Sequence, residues 1–210
     1  MSDTVTLRKL AVGATIKEGI SIGTRNIGPI LMNVLLWILT IWIPYLNVGT
    51  TIGLTAGIVS KASRGEAIPM TEIFDPKYRK YMGEFFLASG LISVAVGIGT
   101  IFGVIPGIVI GIAWSLAILL VVDKGKNPTE AITLSNNCTY GYKGRMFGIY
   151  FLVCLIFTAV QTIVSGIGAA TYNSGIIVLT SFLVILSAVF EIFVFIGLQA
   201  SVYKQLTEGV

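Results

Sequence analysis

The chain has 210 residues, 55% of them hydrophobic and only 11% charged, with a net charge of +4. A soluble domain carries about 25% charged residues, so the composition excludes a water-facing globule, and a mean hydropathy of +0.90 points to a helical membrane protein. Histidine is absent, which removes the commonest metal ligand and general base. Alternating segments of about 10 residues, the mark of an outer-membrane barrel, are absent as well.

Residues 1–26 carry an approximate apolar stripe of Leu7, Leu10, Ala14, Ile16 and Ile20, with Arg8, Lys9, Lys17 and Arg25 turned elsewhere. The segment is too polar to cross a bilayer and fits a helix lying in the headgroup plane. It has no short apolar core with a cleavage site, so it does not read as a signal peptide. A first span is expected over residues 27–43, where Trp42 and Tyr45 suit a membrane interface and Pro44 and Asn47 mark a turn. A second, short span is expected over 46–60, closed by Lys61. Its Gly49, Gly53 and Gly57 repeat every four residues and form a stripe where another backbone can approach, a candidate helix-packing seam.

Residues 61–82 make a charged connector that ends in Lys77, Tyr78, Arg79, Lys80 and Tyr81. Lys77, Arg79 and Lys80, with Lys143 and Arg145 further on, are candidate lipid-headgroup contacts. Glu84, beside them, reads as an interfacial ion-pair partner. A third span is expected over 84–105 and a fourth over 106–122, with Pro106 turning the chain between them. Gly103, Gly107, Gly111 and Ser115 extend the packing seam. Asp123 ends the fourth span. Asn127-Pro128-Thr129-Glu130 then has the form of a helix start, with an Asn cap, a Pro in the first helical position and a Glu able to reach back. It predicts a helix over 129–140. The fifth span is expected over 146–170 and the sixth over 176–203, longer than the roughly 20 residues a crossing needs. A short tail, 205–210, follows a transmembrane domain taken as 27–204.

Arg and Lys fall only before span 1, between spans 2 and 3, between spans 4 and 5, and after span 6, while the three alternate hairpin tips have none. Positive residues mark the cytoplasmic side. The expected fold is therefore all-α: a polytopic protein of the inner (cytoplasmic) cell membrane, with six transmembrane helices as three hairpins. Each hairpin is preceded by a cytoplasmic amphipathic helical segment, and both termini are cytoplasmic. The run Pro44…Gly65…Pro69-Met-Thr-Glu-Ile matches Pro106…Gly125…Pro128-Thr-Glu-Ala-Ile in order, which predicts an internal repeat.

The segment GVIPGIVIGIAWSLAILLVVD…NPTEAITLS…YGYKGRMFGIYFL, with the terminal Tyr203-Lys-Gln-Leu206, resembles uncharacterised six-span bacterial and archaeal membrane families, among them glycerophosphodiester-phosphodiesterase membrane domains. The resemblance implies a six-helix integral membrane protein and carries no site residues. The phosphodiesterase domain itself has no counterpart in this sequence.

Glu191 is the one ionisable side chain well inside an expected span, and intramembrane acids are costly and often functional. A hydrogen bond from Gln161 or Thr162 on the neighbouring helix is the plain structural reading of it. No Ser/His/Asp set, phosphate loop or paired acids occur, so no enzyme activity, cofactor or metal is expected. Cys138 and Cys154 are not expected to bridge. The expected role is a structural or accessory subunit that contacts membrane lipids and either self-associates or joins a larger membrane complex, without nucleic acid. The alternative is a small-solute or ion transporter using Glu191.

Overall fold

The computed structural model describes residues 10–171 and 173–209. Among them there are helices and no strands. In order they are α1 (Val12–Arg25), α2 (Ile27–Thr40), α3 (Pro44–Ile52), α4 (Ile58–Arg64), α5 (Met82–Ile101), α6 (Val104–Trp114), α7 (Ala117–Lys124), α8 (Pro128–Thr139), α9 (Lys143–Thr171) and α10 (Ser174–Thr207). A π-helical turn, Gly53–Gly57, joins α3 to α4 without a break. Two 3-10 turns, Glu72–Phe74 and Pro76–Tyr81, occupy the connector before α5.

Four stretches are long and apolar enough to cross a membrane: Pro76–Ile101, Val104–Lys124, Lys143–Thr171 and Ser174–Thr207. The pair α1 and α2, bent by 71°, makes a fifth at most. The protein is thus an all-α, polytopic membrane protein, but helix length alone does not give six crossings. The reason is local. At 1.5 Å per residue the 14 residues of α2 reach only about 21 Å. The α3–α4 stretch carries Asn47, Thr50, Thr51 and Thr55 and buries Ile52, Ala56, Ile58 and Val59 inside the protein. A helix wrapped by other helices does not need the uniform apolar coat that lipid demands.

Turns also fall slightly off their expected places. The chain reverses at Phe102–Gly103, and Pro106 sits inside the first turn of α6, where a missing N–H costs nothing. Gly103 carries the reversal because its φ of +148° is closed to other residues. Gly65 and Gly125 end α4 and α7 in the left-handed conformation, φ +69° and +63°, and close the last turns of those helices. The helix predicted over 129–140 is found as α8. Asn127 caps it by accepting from the Glu130 N–H at 2.9 Å, and the Glu130 carboxylate turns to the Asn127 side-chain amide and to Lys126.

The buried core lies at one end. It is made by α4, α7, α8, the connector before α5, and the last third of α10, with α1 against it. Ile58, Val59, Leu119, Leu120, Val121, Leu198, Val202 and Ile73 are at most 1% exposed. From this base the hairpins α2–α3, α5–α6 and α9–α10 project. The surfaces of α5, α9 and α10 are apolar and open, with only 11% of the most apolar window buried in each of the spans built on them, against 39% for the span of α6 and α7. The hairpin tips are barer still, with Trp42 87% and Phe102 84% exposed.

α1 runs antiparallel to α10, because Thr15 meets Gln205, Glu18 meets Lys204 and Gly23 meets Phe193. Its closest-packed face is Gly19 and Gly23, a G-x-x-x-G pair, laid on Gly197. A Cβ on Gly19 would stand 2.8 Å from the Leu198 backbone, and one on Gly197 would overlap the Gly19 carbonyl. Of the apolar stripe expected here, Leu10 is buried, Ile16 half-buried, and Ala14 and Ile20 exposed; Leu7 lies outside the described residues.

Candidate functional site

Three polar clusters tie the base together. In the first, the Glu72 carboxylate is 3% exposed and accepts from Lys61 at 2.6 Å, Lys77 at 3.1 Å and the Tyr78 hydroxyl. Burial on its own would raise this carboxyl. The two ammonium groups and the phenol outweigh it and hold Glu72 below the usual carboxylate range. In the second, Asp123 accepts from Arg64 and from the Tyr203 hydroxyl at 2.7 Å, joining the ends of α4, α7 and α10. In the third, Glu18 on α1 accepts from Lys204 at 2.9 Å, Ser201 at 2.8 Å and Gln205 at 3.1 Å on α10. None of the three follows from spacing. Glu72, Asp123 and Glu18 look in sequence like ordinary connector or surface acids, and their partners stand up to 187 residues away.

The connectors are fixed from the membrane side too. Asn33 on α2 is fully buried. Its amide donates to the carbonyls of Pro29 and Pro69, each at 2.8 Å, and its oxygen accepts the Ile73 N–H at 3.0 Å. Between α6 and α7 the helix breaks at Ser115–Leu116. The Ala113 carbonyl left over there accepts Ser135 at 2.8 Å and Thr139 at 3.2 Å from α8, and Ser135 in turn accepts the Leu116 N–H. A broken helix is tolerated at that depth only where its orphan groups find such partners.

The expected seam residues part into two uses. Gly53 and Gly57 meet the Tyr78 ring, with the Ile73 backbone also against Gly53, and Gly49 meets Arg79 and Met82. That seam is filled by the chain's own connector. Gly107 lies against Thr100 and Gly99 within the α5–α6 hairpin. Gly103 forms the turn, Gly111 has ordinary clearance at 3.8 Å from Val96, and Ser115 marks the helix break. The close backbone-to-backbone approach of Gly19 and Gly23 on Gly197 is not among the expected seams, although G-x-x-x-G at 19–23 was its signal.

Among the candidate headgroup contacts, Lys77 is exposed but pairs with Glu72 and Asp75 and lies over the Tyr78 ring at 4.8 Å. Lys143 donates to Asn136 at 2.9 Å. Arg79, Lys80 and Arg145 are exposed. Glu84 forms no ion pair among the described residues. On the base, a groove of about 730 Å³ between α1, α4 and α10 is lined by Lys17, Arg25, Arg64 and Lys204 together with Glu18 and Glu208.

Gln161 and Glu191 are brought together, the amide donating to the carboxylate at 3.1 Å across α9 and α10. Glu191 stands 17 residues beyond Ser174, about 26 Å along the helix. It therefore sits where the apolar, exposed part of α10 meets the base rather than at its middle; the residues after Ile192 are increasingly buried. Both cysteines are free, and among the described residues no three His, Cys, Asp or Glu side chains gather as a metal site. Comparison with family models, with curated proteins and with solved structures finds no match for this chain.

Proposed function

We propose that this protein is a non-catalytic, accessory subunit of the inner cell membrane. It is a polar base in the cytoplasmic headgroup zone from which three apolar hairpins enter the bilayer, both termini being cytoplasmic. The observation that carries this reading is the contrast between base and hairpins. Every ion pair among the described residues lies at the base, whereas the spans built on α5, α9 and α10 have only 11% of their most apolar window buried and leave the rest to lipid or to a partner. The shorter helices α2 and α3–α4 complete the first hairpin, so that the chain crosses six times. Lipid contact is supported by the exposed Arg79, Lys80 and Arg145 and by Lys17 and Arg25 in the base groove, with attraction of about 1 kcal/mol per cation near an anionic leaflet. The resemblance to six-span families of the membrane-domain type points the same way.

The test is native mass spectrometry of the protein extracted in a mild detergent. Bound phospholipid, or an assembly heavier than one chain, is the expected result, and a lipid-free single chain overturns the reading. The bond between Gln161 and Glu191 favours a second reading, transport with Glu191 as the coupling acid. Flux of ions or small solutes in reconstituted liposomes supports that one; silence leaves the first.

A further inference from the structure

Glu191 lies beside an open groove of about 700 Å³ lined by Ser115, Tyr150, Ala188, Ile192, Phe195 and Gln199. Three features of this groove are independent of one another. First, the Glu191 carboxyl is bonded by one neutral amide and by no cation among the described residues, so an acidic group stands beside the apolar surface with no basic partner. Second, Tyr150 and Phe195 stack with ring centroids 6.2 Å apart and planes within 10°, presenting aromatic surface to the same space. Third, the groove opens on the apolar side, where Ala188 and Ile192 are exposed, while Ser115 and Gln199 supply polar groups at its wall. A free carboxylate wants a cation, aromatic rings favour an organic ammonium over a hydrated metal ion, and a lipid-facing mouth selects a ligand with an apolar body.

We propose that the groove between α6–α7, α9 and α10 binds a monovalent cationic amphiphile, with its ammonium against Glu191 and the Tyr150–Phe195 pair and its apolar body in the hydrocarbon. Gln161 is a positioning residue that holds the carboxylate toward the groove. The inference does not rest on the accessory-subunit reading, since it concerns binding and stands whether or not flux is seen.

The experiment is equilibrium dialysis of tritiated tetraphenylphosphonium against the full chain in dodecyl maltoside micelles, with dodecyltrimethylammonium and dodecyl sulfate as competitors of equal tail length. Saturable one-site binding is expected, displaced by the ammonium and not by the sulfate. Neither probe cation has an N–H to donate, so its attraction to Glu191 is coulombic, and Glu191→Gln, which removes the charge, lowers affinity at least tenfold. Phe195→Leu, which keeps the acid, lowers it about two- to fivefold. Elution volume and melting temperature report whether each variant is folded. Absence of saturable binding, equal displacement by the sulfate, or unchanged affinity in folded Glu191→Gln overturns the proposal. Should Glu191→Gln not fold, unchanged affinity in Phe195→Leu overturns it instead.

Discussion

Tyr78 shows how much one side chain can organise. Its ring fills the notch made by Gly53 and Gly57, at the π-helical turn that widens the helix there, while its hydroxyl donates to Glu72. Glu72 in turn draws in Lys61 and Lys77. A buried acid of this kind makes stability depend on pH. The folded carboxyl lies below its ordinary value of 4.5, so the unfolded chain binds the proton more readily. The stabilisation is complete above about pH 4.5 and is lost as pH falls toward the lower, folded value. Melting temperature in detergent should therefore drop below pH 4.5, and Glu72→Gln should flatten that drop while lowering the melting temperature at pH 7. An acid limb as steep in Glu72→Gln as in the wild type would assign the effect to other carboxylates. The exposed Arg64–Glu66 pair at 2.5 Å contributes about 0–1 kcal/mol at most, and its loss should be nearly silent.

At the scale of elements, α1 and α10 are joined by glycine rather than by large apolar side chains. Close backbone approach lets many weak contacts form at once, and the Glu18 cluster locks the register. A Cβ branch at the centre of that contact has nowhere to go, because the atoms it meets are backbone. Gly197→Val should cost about 1–3 kcal/mol or more and release α1. Limited proteolysis should then cut near residues 10–26 in the variant at protease levels the wild type resists; equal resistance in both would show that glycine is dispensable there. The helices themselves were legible from sequence. α8, with its Asn-Pro-x-Glu start, was found within a residue or so, and α5, α9 and α10 within about four. Their partners were not. That α8 would plug the Ser115 break, or that Gly53 and Gly57 would receive the chain's own connector, depends on contacts made after the chain reverses direction, which periodicity does not encode.

The whole molecule reads as three hairpins on one base, and a common rule relates them. The connector over 66–81 folds back on α3–α4, α8 folds back on α7, and α1 folds back on α10. In the third case the two pieces are the first and last described helices. We propose that the Pro44…Gly65 and Pro106…Gly125 runs mark an internal repeat whose units close into a ring, with the break between α10 and α1. A circular permutant follows from it: α10 is joined to α1, which it meets through Thr15 and Gln205 at 3.3 Å, by a linker, and the chain is reopened between Gly125 and Lys126. It should insert and melt close to the parent, because the new break lies in a polar, exposed tip. A permutant that fails to assemble would mean that the order of insertion, not the ring of contacts, fixes the fold.

Composition and charge placement by themselves determined that this is a helical membrane protein with its cations gathered between alternate spans. Both are properties of the local chain: a run of apolar residues must leave water, and a lysine must not, wherever the rest of the protein lies. Only the tertiary structure decided which apolar runs stay open and which are wrapped inside, so that α3–α4 and the last third of α10 became core while α9 and the rest of α10 stayed bare. It also decided which acids became anchors, since Glu72, Asp123 and Glu18 acquire their partners only when distant segments meet and water is excluded between them.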